Sequence, residues 1–202
     1  MTVKVVRPPA RPMLLKLAGA CGLTAAVLVP ALILLAVQLS PWFSWTENAL
    51  SDLGVRGVAA TIFNSALMIG GWLVVIFAFG LGETLRGSKL GRVGAFFLLL
   101  DGLSLFAVGL FPESAGLLHF YVSVAFFTLL PVSLLLIGAA PIAKRAEGRL
   151  GLYAVGVALF AVIVWLLPWR GKAIPEALAS FPAAVWLSLA GIRILKQKPS
   201  LA

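Results

Sequence analysis

One cysteine, one histidine, seven acids and two each of asparagine and glutamine in 202 residues leave little material for most kinds of active site. A single histidine excludes a bis-histidine haem and a three-histidine zinc site within one chain. A single cysteine, Cys21, excludes Cys-ligated zinc, iron–sulfur clusters and an intramolecular disulfide. The sequence contains no GxxxxGK[ST] phosphate loop and no GxSxG elbow. A hard cation held by Glu, Asp and Asn oxygens stays open, although no spacing demands one. Scarce Asn and Gln suit a thermophilic source, but membrane composition depresses both as well.

What the chain has in quantity is apolar surface: 61% hydrophobic residues, 11% charged and a mean hydropathy of +1.08, outside the range of a soluble domain. This is the composition of an integral membrane protein. The net charge of +9 does not signal nucleic acid, because the Lys and Arg residues sit in short clusters between apolar runs. Crossing about 30 Å of hydrocarbon takes roughly 20 apolar residues in a helix, since every backbone polar group must be paired within the segment. Six segments qualify, at 13–39, 58–82, 93–111, 118–143, 150–168 and 177–195. The expected architecture is an all-α bundle of six transmembrane helices over 13–195, with short basic tails at 1–12 and 196–202. The stretch LAGAC before Cys21 is similar to a lipoprotein cleavage site. Lys16 interrupts the apolar run before it and a long apolar run follows, so a first transmembrane helix is the expectation.

Basic residues resist translocation, so their distribution over short loops predicts orientation. The N-terminal region, the loops around 86–92 and 144–149, and the C-terminal tail hold nearly all of them. Only Arg56, Arg170 and Lys172 of the 16 lie on the other side. Both termini are therefore expected in the cytoplasm, in the cell (inner) membrane. The loops near 40–57, 112–117 and 169–176 then face outward, where Trp42, Trp45 and Trp169 suit a headgroup boundary.

Glu83 and Glu147 sit in cytoplasmic loops beside basic residues, where charge balance explains them. Glu47, Asp52, Glu113 and Glu176 lie on the outer loops, and Asp101 lies inside the third span. Pro112-Glu113 and Pro175-Glu176 read as helix starts, proline at the first position and an acid complementing the helix dipole by roughly 0.3 to 1 kcal/mol. In SWTENALSDLGVRG (44–57), Thr46 can cap a short helix from Glu47 to Leu53 that Gly54 ends, with Ala49, Leu50 and Leu53 on one face. Glu47, Ser51 and Asp52 then point the other way, beside Asn48, and Arg56 is a partner for Asp52 or Glu47. An acid at the depth of Asp101 costs roughly 2.5 to 3.5 kcal/mol on insertion scales and is by default a functional-site hypothesis. Its expected neighbours are Asn64 on the second helix and His119, with Ser123 one turn on, at the outer end of the fourth. Together these residues can line a cavity opening outward, with the 44–57 stretch as its lid or rim.

Small residues at Gly70-Gly71, Gly102, Gly138-Ala139-Ala140 and Gly151-x4-Gly156 are expected to let helices approach closely, and Pro131, Pro168 and Pro182 to kink helices or mark their ends. The succession NALSDLG (48–54), IFNSALMIGG (62–71), FPE (111–113) followed by His119, and IPE (174–176) resembles a prokaryotic family of six-helix membrane proteins common in archaea. This is the domain-of-unknown-function family nine-nine-eight. The resemblance covers roughly residues 15–195 and implies the architecture and the polar positions, with no established reaction.

The leading functional expectation is a polar, outward-opening site that binds or processes a lipid or other small amphiphile. In it Asp101 and His119 handle protons, while Asn64, Glu47, Asn48, Ser51, Asp52, Glu113 and Glu176 bind substrate. A proton- or ion-coupled carrier is a second class, although no inverted repeat is evident. An accessory subunit or homo-oligomer packing in a larger membrane complex is the third. The partners expected are the bilayer, a lipid ligand or another membrane protein.

Overall fold

The computed structural model describes residues 10–140 and 145–197, with side chains over 13–140 and 148–197. The basic positions Lys4, Arg7, Lys144 and Lys198, and the side chains of Arg11, Arg145 and Glu147, lie outside that description. So do most of both tails. Six helices follow one another: α1 (Ala10–Gln38), α2 (Gly57–Thr84), α3 (Lys89–Leu110), α4 (Leu117–Gly138), α5 (Arg145–Trp165) and α6 (Ala173–Leu195). All six are long and apolar enough to cross a bilayer, and the chain is a multi-pass membrane protein in architecture. Each helix packs on its neighbour in sequence, and α6 returns to α1, closing a ring.

Lipid tails are as apolar as leucine, so helices in a bilayer associate through close packing and polar contacts rather than through the hydrophobic effect. Glycines make that packing possible here. A Cβ on Gly71 would lie 2.5 Å from the Gly102 carbonyl oxygen, and one on Gly102 would lie 2.9 Å from that of Gly71, so the α2 and α3 backbones touch. Gly19 and Gly191 repeat the arrangement between α1 and α6, and Gly138 meets the Gly151 carbonyl between α4 and α5. Gly156 differs from expectation. It has nothing within 4 Å of where a Cβ would stand and brings no helix closer.

The helix ends depart from the expected boundaries for local reasons. α3 begins at Lys89 instead of 93 because the Ser88 hydroxyl accepts a hydrogen bond from Gly91 N at 3.1 Å. α5 stops at Trp165, and the Trp169 indole donates back to the Val164 carbonyl at 2.7 Å just beyond Pro168. α6 starts four residues early, so Pro175 occupies its third position rather than its first. Pro112 does not open α4 either. It precedes a single 3-10 turn (Glu113–Ala115), and α4 begins at Leu117 after Gly116, whose φ of 63° favours glycine. Pro131 and Pro182 lie inside α4 and α6, and Pro30 lies inside α1.

Candidate functional site

The α1–α2, α3–α4 and α5–α6 connections meet at one end of the ring, and the first of them forms a cap. Its helical part is shorter than expected, a single 3-10 turn from Leu50 to Gly54. Thr46 does not cap it; its hydroxyl bonds Ser44 instead. Asn48 organises the approach, accepting from Ser44 N at 2.8 Å and donating to Asp52 Oδ2 at 2.9 Å. Asp52 Oδ2 also accepts from Ala49 N at 2.9 Å, which closes the turn. Leu50 and Leu53 turn into the bundle, where Leu53 is fully buried.

Polar pins hold this cap to three other elements. The Leu50 amide donates to Glu176 Oε2 on α6 at 2.6 Å. The Ser51 hydroxyl donates to Glu113 Oε2 in the α3–α4 connection at 3.3 Å, and Asn64 Nδ2 on α2 donates to the Gly54 carbonyl at 2.9 Å. The Asn48 carbonyl accepts from both Lys172 N (2.9 Å) and Ala173 N (2.8 Å), supplying the acceptor that the first turn of α6 needs. Gly171 permits that approach, since a Cβ there would sit 2.6 Å from the Glu47 carbonyl carbon. This contact is why α6 begins early.

Asp52 and Glu113 act on each other across the cap, and their pKa values move in opposite directions. Burial works against the Asp52 carboxylate. It is outweighed by hydrogen bonds from Glu113, the Ala49 amide and Asn48 and by the field of Lys172, so the Asp52 pKa falls below the ordinary value. Burial, then the hydrogen bond to and the charge of Asp52, push Glu113 upward against the opposing effects of Ser51 and Lys172. Glu113 therefore gives up its proton less readily than Asp52.

Beneath the cap the ring encloses a cavity of about 130 Å³ walled by α1, α2, α3, α4 and α6. Leu50 and Ser51 of the cap line it, and its wall is mostly aliphatic and aromatic. Five polar side chains reach it: Ser51, Asp101, Ser123, Glu176 and Ser180. Asp101 sits nine residues before the end of α3, roughly 14 Å below the cap end at 1.5 Å per residue. It is only 3% exposed, and its Oδ1 has no hydrogen-bond partner among the described residues. Trp186, also on the wall, has an indole Nε1 in the same condition.

The other positions singled out in the sequence are placed as follows. His119 does not line the cavity. Its Nδ1 meets the Phe111 carbonyl at 2.8 Å and its Nε2 meets the Ser123 hydroxyl at 3.2 Å, so it joins the end of α3 to the start of α4. Asn64 pins the cap from outside the cavity, and its Oδ1 is buried without a partner among the described residues. Glu47 is exposed and pairs with Arg170 at 3.8 Å. Arg56 pairs with neither Asp52 nor Glu47; its guanidinium stacks over the Trp42 ring at 4.3 Å, a contact that keeps the charge hydrated at the rim. The sequence did not single out Lys172 or Ser180. Lys172 stands three residues before the Pro175-Glu176 pair, and its charge acts on Asp52 and Glu113 across the cap. No group of three or more His, Cys, Asp or Glu among the described residues is arranged to hold a metal ion.

The model of the family described as "Protein of unknown function (DUF998)" matches residues 23–193, most of the chain, so the chain belongs to that family. Comparison with curated proteins and with solved structures finds no match.

Proposed function

We propose, on the premise that the chain is a DUF998 protein, that it binds or processes a lipid or other small amphiphile in the cavity beneath the cap. The observation that carries this reading is the buried Asp101 carboxyl, whose Oδ1 has no partner among the described residues, on a mostly apolar wall. Burying an acid without a partner costs several kcal/mol or more unless another group satisfies it. A ligand headgroup would satisfy it, while the aliphatic and aromatic wall takes the tail. If the ligand is processed, two proton-handling groups are at hand: Asp101 itself, and His119 acting through the Ser123 hydroxyl that it contacts. In this reading Glu176 and Ser51 line the mouth, and Asn48, Asp52, Asn64 and Glu113 hold the cap over it. Glu47 belongs to the rim. The distribution of basic residues supports a capped end outside the cytoplasm and both termini within it.

A proton- or ion-coupled carrier is the second reading, favoured by carboxyl groups at two depths of one cavity, Glu176 at the mouth and Asp101 below it. Native mass spectrometry of the protein extracted from its own membrane, wild type beside Asp101→Asn, tests the leading reading. A discrete bound amphiphile lost on substitution is the expected result. A folded variant that retains the same ligand refutes Asp101 as its anchor. Copurifying subunits without any ligand would support an accessory role in a larger complex.

A further inference from the structure

We propose that the headgroup the cavity takes is an ammonium, so that its ligand is a small lipophilic amine. The inference deepens the amphiphile reading and rests on it. Two carboxyl groups, Asp101 and Glu176, line the cavity, and among its described lining residues none is Lys, Arg or His. Lys172, whose charge acts on Glu176 as well as on Asp52 and Glu113, is not part of the wall. A lining whose described ionisable groups are all acids offers phosphate, sulfate and carboxylate headgroups no counter-charge and can supply one to a positive headgroup.

The unpartnered atom narrows the class. Asp101 Oδ1 is a hydrogen-bond acceptor with no donor among the described residues, so an N–H-bearing ammonium fits it where a quaternary ammonium offers no proton. Such a charge-assisted bond supplies the counter-charge that the chain withholds. Aromatic rings on the same wall, Phe126, Phe127, Phe181 and Trp186 among them, add faces that favour a cation over an anion. Size sets the remainder. Apolar cavities of roughly 150 Å³ accept benzene, and a cavity of about 130 Å³ suits a short alkyl chain or one ring behind the ammonium. The ammonium could belong to a free amine or to the ethanolamine headgroup of a lipid whose tails lie between helices.

The test uses the full chain in phosphatidylcholine nanodiscs with radiolabelled n-hexylamine, competed by unlabelled n-hexylamine, n-hexanol or hexanoate. Saturable binding displaced only by the amine is expected, weakened tenfold or more in Asp101→Asn. Displacement by hexanol or hexanoate as readily as by hexylamine overturns the ammonium assignment and leaves the amphiphile reading standing. Saturable binding of none of the three, each also tested as a labelled ligand, overturns both. Because the competition is run on the wild type, the assignment stays testable if Asp101→Asn does not fold. Replacing phosphatidylcholine by phosphatidylethanolamine separates the sources. Loss of hexylamine binding there assigns the ammonium to a lipid headgroup, and retained binding assigns it to a free amine; either supports the shared chemistry.

Discussion

If polar pins rather than apolar contact hold the cap, removing one should open the cap locally while the ring persists. The pin of choice is the bond from the Leu50 amide to Glu176 Oε2, 2.6 Å long and buried, with Leu50 5% and Glu176 8% exposed. Glu176→Ala leaves that amide without an acceptor where water is scarce. An orphaned buried donor costs about 1–3 kcal/mol, which for an amide exchanging through local opening is a roughly 5- to 150-fold faster rate. Hydrogen–deuterium exchange of the protein in nanodiscs reads this at residues 48–55. The bonds from Asn64 to Gly54 and from Ser51 to Glu113 remain, so the change should stay confined to the cap and the first turn of α6. Glu176→Gln keeps a side-chain carbonyl oxygen at the same reach and should retain most of the protection. Glu47→Ala, which removes only an exposed ion pair at 3.8 Å, should change little. Protection at 48–55 that is unchanged in Glu176→Ala, or lost equally in Glu176→Gln, would refute the pin.

The Asp52–Glu113 pair gives the cap a pH dependence of definite sign. Glu113 has a raised pKa when folded, so its contribution is complete below the ordinary glutamate value and is lost as pH rises through the raised one; Asp52, lowered, loses its contribution only as pH falls through a value below the ordinary aspartate range. Cap protection factors, corrected for intrinsic exchange, should therefore fall as pH rises above the ordinary glutamate range in the wild type and less steeply in Glu113→Gln, where Glu176 still titrates; a wild-type profile no steeper than that of the variant would refute the role of Glu113. Gly71→Ala should sharply lower thermal stability, because its Cβ would stand 2.5 Å from both Gly102 O and Phe106 N, which are backbone atoms and cannot swing aside. Gly156→Ala should be neutral or raise the melting temperature slightly, since its Cβ meets nothing and alanine favours helix by about 1 kcal/mol. Tm measured on the purified protein checks both glycines. His119→Ala should destabilise the α3–α4 connection by about 1–3 kcal/mol through the Phe111 carbonyl and the Ser123 hydroxyl it leaves, and denaturation monitored by tryptophan fluorescence measures that loss.

The six helices were legible because a bilayer imposes a minimum length of apolar residues, and that constraint is written locally along the chain. The expected spans and the observed helices agree to within a few residues wherever both are described. Polar positions were legible for the same reason, since any carboxyl or amide is conspicuous in such a background. Their partners were not. The Leu50 amide and Glu176 are 126 residues apart, and Ser51 and Glu113 are 62 apart. No periodicity connects such pairs. Local rules caught part of the role of Glu176, which does lie in the first turn of α6, but not the bond that it accepts from a different element. Arg56 went to an aromatic ring because Trp42 lies beside it at the rim, a contact that charge matching along the chain does not anticipate.

The distribution of partners sets one acid apart from the others with described side chains. Glu47 pairs with Arg170 and Glu83 with Arg86, both at exposed positions where charge is cheap. Asp52, Glu113 and Glu176 all bond to cap atoms or to one another, so the requirement of holding the cap accounts for each of them. Asp101 alone among the acids with described side chains has neither a hydrogen bond nor an ion pair among the described residues. A glycine-packed ring does not need it: α2 and α3 already touch at Gly71 and Gly102, one residue along from Asp101, with no polar group required. Replacing it with leucine would remove an insertion cost of roughly 2.5 to 3.5 kcal/mol. An acid without a partner among the described residues, in the middle of a span and on the wall of the cavity, is the observation on which the proposed ligand rests.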